Sequence, residues 1–401
     1  MAILEDKKVI FHIISGLEAG GAELMLLRLL EKLHQDPDYQ KSYRLVVISL
    51  TSGGYVGERL RELGIEVQFL GMKSVLDIPR VLWQLRTQLI IGRADIVQTW
   101  MYHADLLGGL AARFAGITNV IWGLRGTAIP QTGWSATRLI ITLCAWTSHF
   151  IPRAIVACAE SARTAHIELG YDRSRMLVIT NGYQLNKFQV SPSLRREARA
   201  RFELSDQTLV VGIVGRFDPL KDYQNFVRAA GLLTVDFKES PRAIRFLMVG
   251  RGIDAQNKTL ATWLEENNIR RESVLAGELQ QVQFAYAAMD IFCLSSAKEG
   301  FPNVVCEAMA MQVPCVVTRA GDAAEIVGQT GIVVVPRDAK ALAAALLEMS
   351  KKDDSERAFL GMQARQRIEN FYSIETATAR FAALYEKLTA IMASTPSKVQ
   401  K

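Results

Sequence analysis

The stretch DIFCLSSAKEGFPNVVCEAMA, residues 290–310, reads as strand, loop and helix in immediate succession. Residues 290–295 form a short apolar run rich in Ile, Phe and Leu, the composition of a strand buried on both faces of a parallel sheet. Gly300 and Pro302 break that run. Val304, Val305, Ala308 and Met309 then recur at helical spacing, so Pro302 or Asn303 opens a helix whose first turn has backbone N–H groups without helical partners. Such an end attracts phosphate. Two carboxylates accompany it: Glu299 in the loop and Glu307 eight residues later, about one and a half turns inside the helix. A buried carboxylate is costly unless it receives hydrogen bonds, and sugar hydroxyls are natural donors. Taken alone, a capped helix with two solvated glutamates fits the same residues.

Outward from this stretch the same alternation fills the chain. Residues 8–15 are a near-continuous apolar strand, followed by a glycine loop, 16–23, and a periodic helix, 24–33. Further strands are expected at 43–49, 67–70, 96–99, 120–122, 154–158 and 176–179, with helices between them. After a turn at Asn181-Gly182 and a charged helix at 192–202, strands resume at 209–215, 245–249, 273–275, 290–295, 315–318 and 331–335. Strands alternating with helices predict an α/β fold of two Rossmann-like doubly wound domains facing a cleft. A chain of 401 residues exceeds one ordinary core and divides naturally into domains of about 180 residues. The expected ranges are 1–185, 186–372, and 373–401 as a C-terminal helix crossing back to the N-domain, with a tail from Ser394.

Composition narrows the function. Forty-seven basic against 41 acidic residues, a formal charge of +6 and a pI near 9.0 describe a mixed surface with a preference for anions, not a nucleic-acid arm. No interleaving of aromatic and basic residues of the single-strand-binding kind is present, so no nucleic-acid partner is expected. Cys144, Cys158, Cys293, Cys306 and Cys315 lie in apolar surroundings and read as reduced core residues. The N-terminus carries Glu5 and Asp6, unlike a signal peptide, and no run of about eighteen apolar residues spans a bilayer. A cytoplasmic protein is expected.

Three loops follow strands and hold polar groups. Gly20-Gly21, after the first strand, is either a tight turn or a place where backbone approaches a ligand beyond the strand ends. Gly215-Arg216-Phe217-Asp218-Pro219-Leu220-Lys221 opens the second half in the same way, with a cation at each end suited to a diphosphate. His103 starts a helix just past the strand at 96–99, where a capping or surface histidine is the plainer alternative. The remaining histidines show no metal-ligand spacing. Asp36-Pro37-Asp38 follows a helix, not a strand, and reads as a turn. Gly250-Arg251-Gly252-Ile253-Asp254-Ala255 fits the weaker form of the dinucleotide fingerprint, but not in a first βαβ unit; a loop near a nucleotide base is expected there, with no nicotinamide.

The Glu299 to Glu307 spacing with Gly-Phe-Pro-Asn between, after a hydrophobic strand, resembles the signature of the large metal-independent family of retaining glycosyltransferases with the two-domain GT-B architecture, glycosyl transferases group 1. The resemblance implies a nucleotide-sugar donor, UDP-sugar favoured, and no metal or other cofactor. It implies that Glu299 contacts the transferred sugar near its reacting carbon, that Phe301, Pro302, Asn303 and Val304 hold the diphosphate through backbone amides, and that Glu307 takes the ribose hydroxyls. Arg216 and Lys221 match the family's paired cations, with Gly215 beside them. Gly20 and Gly21 match its N-domain glycine loop, and His103 its histidine beside the reacting sugar. One departure is Gln184, where the family commonly has Asp. An epimerase of the same architecture, or a non-catalytic nucleotide-sugar binder, is the alternative.

The acceptor is expected to be a glycan, lipid-linked, in bacterial surface polysaccharide synthesis. Residues 106–163 place Arg113, Arg125, Arg138, Arg153 and Arg163 against the single acid Glu160, and Trp134, Leu139, Ile140, Ile141, Leu143, Trp146, Phe150 and Ile151 form a strongly apolar stretch. A helix at 134–152 is therefore either a core element or an interfacial surface making peripheral membrane contact through 130–153.

Overall fold

A computed structural model describes residues 7–126, 136–237 and 242–394. The chain divides into two compact units, one of residues 1–182 with 374–401 and one of residues 183–373.

The first unit is built on strands β1 (Lys8–Ile14), β2 (Tyr43–Ser49), β3 (Glu66–Phe69), β4 (Ile96–Trp100), β5 (Val120–Leu124), β6 (Ala154–Ala157) and β7 (Met176–Val178). Its helices are α1 (Gly21–Gln35), α2 (Pro37–Ser42), α3 (Tyr55–Glu62), α4 (Ile78–Ile91), α5 (Tyr102–Phe114), α6 (Ala136–Thr147) and α7 (Glu160–Glu168). The strands form one parallel sheet in the order β3-β2-β1-β4-β5-β6-β7. Central β1 is buried along almost its whole length, which explains its unbroken apolar run. Within it His12 is kept neutral by burial, which lowers its pKa to about 3, and its Nδ1 accepts from Trp100 Nε1 at 3.2 Å. Helix α1 buries Ala22, Met25, Leu26, Leu29, Leu30 and Leu33, a single stripe at helical spacing.

The second unit contains α8 (Pro192–Arg201), β8 (Leu209–Val214), α9 (Tyr223–Asp236), β9 (Ile244–Val249), α10 (Lys258–Glu266), β10 (Ser273–Leu275), α11 (Gln283–Ala288), β11 (Ile291–Leu294), α12 (Asn303–Ala310), β12 (Cys315–Thr318), α13 (Ala323–Val327), β13 (Gly331–Val334), α14 (Ala339–Lys351) and α15 (Asp354–Phe371). Its six strands are parallel in the order β10-β9-β8-β11-β12-β13. Both sheets therefore reverse direction once, between their first and fourth strands. At the opposite end from the loops, buried Asp290 takes Arg195 at 2.6 Å, Arg199 at 2.7 Å and the Val210 amide at 2.8 Å, fastening α8 beneath the sheet.

The last helix, α16 (Ile374–Ser394), returns to the first unit and packs on α1 and β4. Phe381 and Tyr385 are fully buried there, and Tyr385 donates to Gln98 Oε1 at 2.5 Å. The Arg125 guanidinium lies 4.3 Å from the Trp100 ring centroid and 5.7 Å from that of Phe381. Arg125 is thus enclosed by aromatic rings and is not a surface cation for lipid.

Two local expectations are corrected. Asp36-Pro37-Asp38 is not a simple turn: the Asp36 side chain accepts from the Asp38 and Tyr39 amides and starts α2, with Pro37 in the first turn. The helix expected at 134–152 spans Ala136–Thr147, and Trp134 lies outside the described residues. Its run divides by face: Ile141 and Cys144 are buried, while Leu139, Leu143 and Trp146, with Phe150 beyond, are exposed. The tail expected from Ser394 falls on 395–401, also outside the described residues.

Asp105 ties the start of α5 to the sheet, accepting from Thr99 Oγ1 at 2.5 Å and from the Gly123 amide at 3.2 Å. Burial pushes its carboxyl up to about 8, against the pull of those two donors. Its folded-state pKa lies above the unfolded value, so the folded form holds a proton that the unfolded chain has released. Stability contributed by this group is full below about pH 4 and is lost as pH rises toward about 8. Asp105→Asn should flatten that loss, seen as a smaller drop in urea midpoint between about pH 5 and about pH 8 than in the wild type. An equal drop in both proteins would remove Asp105 from the account.

Candidate active site

In a doubly wound sheet the loops flanking the reversal point diverge, leaving a crevice beyond the carboxyl ends of the strands. In the second unit that point lies between β8 and β11. The loops that follow them are stitched together by the Ala297 amide on the Leu220 carbonyl at 2.8 Å and Ser295 Oγ on the Lys221 carbonyl at 2.9 Å. This brings Lys221 Nζ to 2.6 Å from Glu299 Oε1, which also accepts from Ser296 Oγ at 2.6 Å. The two charged side chains are 22% and 11% exposed, a setting that strengthens their attraction relative to a surface pair. Arg216 stands apart on the same loop, 60% exposed and 3.0 Å from Asp218. Asp218 itself caps the turn: the Leu220 amide, then Arg216, hold its carboxyl below the usual range.

Helix α12 begins at Asn303 with no side-chain cap. The loop before it is held from several sides. The Phe301 ring packs 6.5 Å from that of Tyr183 and 5.9 Å from that of Tyr372, and the Tyr183 hydroxyl donates to Asn303 Oδ1. The Asp322 amide donates to the Gly300 carbonyl at 3.1 Å. Gly321, at φ +56°, lies so close that an added Cβ would stand 2.2 Å from the Gly300 oxygen. Gly250 supports the other loop in the same manner: its φ is +146° and a Cβ would meet the Gly215 oxygen at 1.9 Å, while Tyr223 donates to that oxygen at 2.6 Å. This close approach accounts for the glycines at 250–255, and no helix starts before Lys258. Inside α12, Glu307 Oε2 accepts from Tyr286 at 2.9 Å. Burial and the Glu307 charge raise the Tyr286 phenol well above its ordinary value, so it stays a donor.

The first unit reverses between β1 and β4, and its named residues lie on the loops there. Gly20 precedes α1 without a side-chain cap, and Gly21 is exposed as the first helical residue. A Cβ on Gly20 would fall 2.3 Å from Glu23 Oε2, so the missing side chain leaves room for that carboxylate. His103 sits half-buried in the first turn of α5, and burial lowers its pKa, favouring the neutral imidazole. Met101, just before the helix, has φ 75°, a sparsely populated conformation for a residue with a side chain, and donates to the Gly123 carbonyl at 2.9 Å. Among the described residues no three His, Cys, Asp or Glu side chains group as a metal site.

Ser296 and Tyr286 carry no sequence signal for the site, and Tyr183, beside the departing Gln184, carries none for a site role. Each is a hydrogen-bonding residue with no motif of its own, brought in by tertiary packing. Gly321 did carry a signal, a glycine just beyond a strand end.

Two doubly wound units, each with polar loops gathered at its reversal point, are the build of a GT-B glycosyltransferase. Residues 208–352 match the description Glycosyl transferases group 1 and residues 19–187 match Glycosyltransferase Family 4, so the chain carries these two glycosyltransferase domains. It is 25% identical over 317 residues to the UDP-Gal:alpha-D-GlcNAc-diphosphoundecaprenol alpha-1,3-galactosyltransferase of Escherichia coli, covering 78% of this chain and 79% of that one. It is also 25% identical over 307 residues to the capsular polysaccharide biosynthesis glycosyltransferase CapM of Staphylococcus aureus, covering 72% and 76%. Among solved structures, Anabaena HepE in complex with UDP matches with a TM-score of 0.79 at 20% identity over 95% of this chain and 100% of that one, a likeness of fold.

Gly321→Ala tests how firmly the Glu299–Gly300 loop is held. The new Cβ must displace backbone and adopt a left-handed conformation, which should cost about 1–3 kcal/mol. The denaturant midpoint of the variant measures it, and an unchanged midpoint would mean that the loop yields freely.

Proposed function

We propose that the protein is a retaining glycosyltransferase that moves a sugar from a nucleotide-diphosphate sugar, UDP-sugar favoured, to a glycan acceptor that is lipid-linked, in bacterial surface polysaccharide synthesis. The observation that carries this reading is the Lys221–Glu299 pair held at 2.6 Å at the reversal point of the second sheet, with the uncapped start of α12 after the same loop. When the bond between the sugar's anomeric carbon and the diphosphate breaks, negative charge grows on the leaving oxygen. A fixed ammonium, the Arg216 guanidinium and the N–H groups of Phe301, Asn303 and Val304 stabilise that charge with little reorganisation, Pro302 having no N–H and setting the turn between them. Lys221 has three N–H donors, so one can stay on Glu299 while another meets a phosphate oxygen. Glu299 orients the transferred sugar through its hydroxyls, and Glu307, braced by Tyr286, takes the ribose. His103, neutral, hydrogen-bonds the sugar or the acceptor hydroxyl. Gly20 and Gly21 let the N-terminal backbone approach the diphosphate.

Because no protein nucleophile is assigned, the acceptor hydroxyl attacks from the side the diphosphate leaves, and its proton passes to the departing diphosphate oxygen. The UDP-galactose donor of the E. coli relative, the capsular pathway of the S. aureus relative and the UDP bound by Anabaena HepE support the donor class and the polysaccharide setting. Among the described residues no helix is long and apolar enough to cross a membrane, and we place the enzyme in the cytoplasm, peripheral on the inner face of the cell membrane. The outward apolar stripe of α6 supports contact through 130–153, although residues 130–135 lie outside the described residues.

Incubation with a panel of nucleotide sugars tests the activity. Free nucleotide plus a new glycoside is expected, undiminished by EDTA; a changed sugar would indicate epimerisation, and no turnover a binder. Glu307→Gln keeps an acceptor for Tyr286 but removes the charge, and should weaken donor binding by about 1.5–3 kcal/mol. An unchanged donor Michaelis constant would remove Glu307 from the ribose site. Lys221→Ala should lower kcat more than donor affinity, since the charge it meets grows during bond cleavage. Equal losses would make Lys221 a ground-state contact.

A further inference from the structure

The carboxyl ends of β1 and β2, the segment from Met72 to Ile78 and the first turns of α5 and α6 enclose a groove of about 390 Å³ in the first unit. Its apolar walls are Leu50, Met72, Val75, Ile78, Leu106 and Ile140, and among the described residues the ionisable side chains lining it are Lys73 and His103. Ser15, Thr51 and Ser74 also line it, but the Thr51 hydroxyl is taken up by the Ser15 carbonyl at 2.8 Å and Ser74 Oγ accepts from the Leu76 amide, so most of the lining is hydrocarbon.

The surface outside the groove continues the same chemistry. Leu76, Trp83 and Ile90 are exposed and seven residues apart, so they share the outer face of α4 and the turn before it, while Val81, Leu85 and Leu89 face inward. Leu139, Leu143, Trp146 and Phe150 recur at spacings of four, three and four along and just past α6. Trp83 and Trp146 are 65% and 68% exposed. Helix α4 packs on α5 and α5 on α6, so both stripes belong to one layer. Residues 71–153 contain eight Lys and Arg, one of them the ring-enclosed Arg125, against three Asp. Of these acids Asp105 is buried, Asp95 takes the Val9 amide, and Asp77, part-exposed, accepts from the Lys73 and Ser74 amides and pairs with Arg80 at 3.2 Å.

We propose that the groove beside His103 receives the hydrocarbon chain of a phosphate-bearing lipid acceptor, with Lys73 on the phosphate and the stripes of α4 and α6 against the bilayer from which the chain enters. This rests on the acceptor class given above and assigns its lipid portion to a site. Exposed tryptophans and leucines in a surface whose cations outnumber its carboxylates suit an anionic interface, and the apolar walls spare the chain from water as it leaves the bilayer.

Binding of farnesyl phosphate to the full-length protein tests this, with farnesol and inorganic phosphate as the chain-only and headgroup-only probes and UDP as a separate probe of the second unit. Farnesyl phosphate should bind the wild type and displace farnesol, while Leu106→Glu, which sets a carboxylate among the apolar walls, should weaken it by about tenfold or more. Ile140→Ala should show a smaller loss, and UDP should bind all three alike. Lys73→Ala should weaken farnesyl phosphate and leave farnesol unchanged. Equal affinity of farnesyl phosphate for wild type and both groove variants, failure to bind while UDP binds, or full competition by inorganic phosphate would overturn the proposal. Loss of UDP binding in the wild type would instead count against the donor reading.

Discussion

The Lys221 ammonium and the Glu299 carboxylate stand 2.6 Å apart at the one place in the second sheet where neighbouring loops diverge. A largely desolvated pair of this kind is stable only if its remaining hydrogen-bonding capacity is met and its geometry is held. Ser296 meets part of the first need. The second is met by backbone: Ala297 on Leu220, Ser295 on the Lys221 carbonyl, Gly321 under Gly300, and Gly250 under Gly215. A side chain at either glycine would push a loop out of register, so the pair depends on positions 22 and 29 residues from its two members. Phosphate chemistry at this site needs a cation that does not have to be ordered when charge develops, and this scaffold provides one.

The first unit depends on a different constraint, a polar interior that has to be neutralised. His12 is neutral and bonded to Trp100, Tyr385 closes on Gln98, and Arg125 lies over two aromatic rings, one of them brought by the returning helix α16. The last turns of the chain thereby complete the core against which β4 packs, and β4 leads directly into Met101 and His103. Strain at Met101 and the Asp105 joint set where α5 starts, and so where the imidazole and the groove beside it lie.

Much of this order was legible in the residues themselves. Runs such as KVIFHII and IFCL lack the polar alternation that a solvent face would require, Lys8 standing at an end and His12 being buried, and they became central strands of parallel sheets. Glycine or proline after each run marked the loops at their carboxyl ends. The start of α12 at Asn303 followed from Pro302 and the spacing of Val304, Val305, Ala308 and Met309. What pattern could not show was which face meets what. Residues 139–151 read as one apolar run, yet Ile141 and Cys144 turn inward while Leu139, Leu143 and Trp146 turn out, because only a helix of fixed phase on a particular neighbour decides it. Arg125 read as a surface charge because its aromatic cage is assembled from β4 and from α16, more than 250 residues later in the chain. Tyr286 and Ser296 were silent for the same reason: their hydroxyls matter through partners that only folding brings near.

The stereochemistry of transfer is the most direct measurement. With an α-configured UDP-sugar that the enzyme turns over, the anomeric configuration of the isolated glycoside can be read by proton NMR. If Lys221, Arg216 and the start of α12 stabilise a diphosphate that leaves from the face the acceptor enters, the product is α-linked. A β-linked product would place the acceptor on the opposite face, require a general base that none of these residues provides, and contradict retaining transfer.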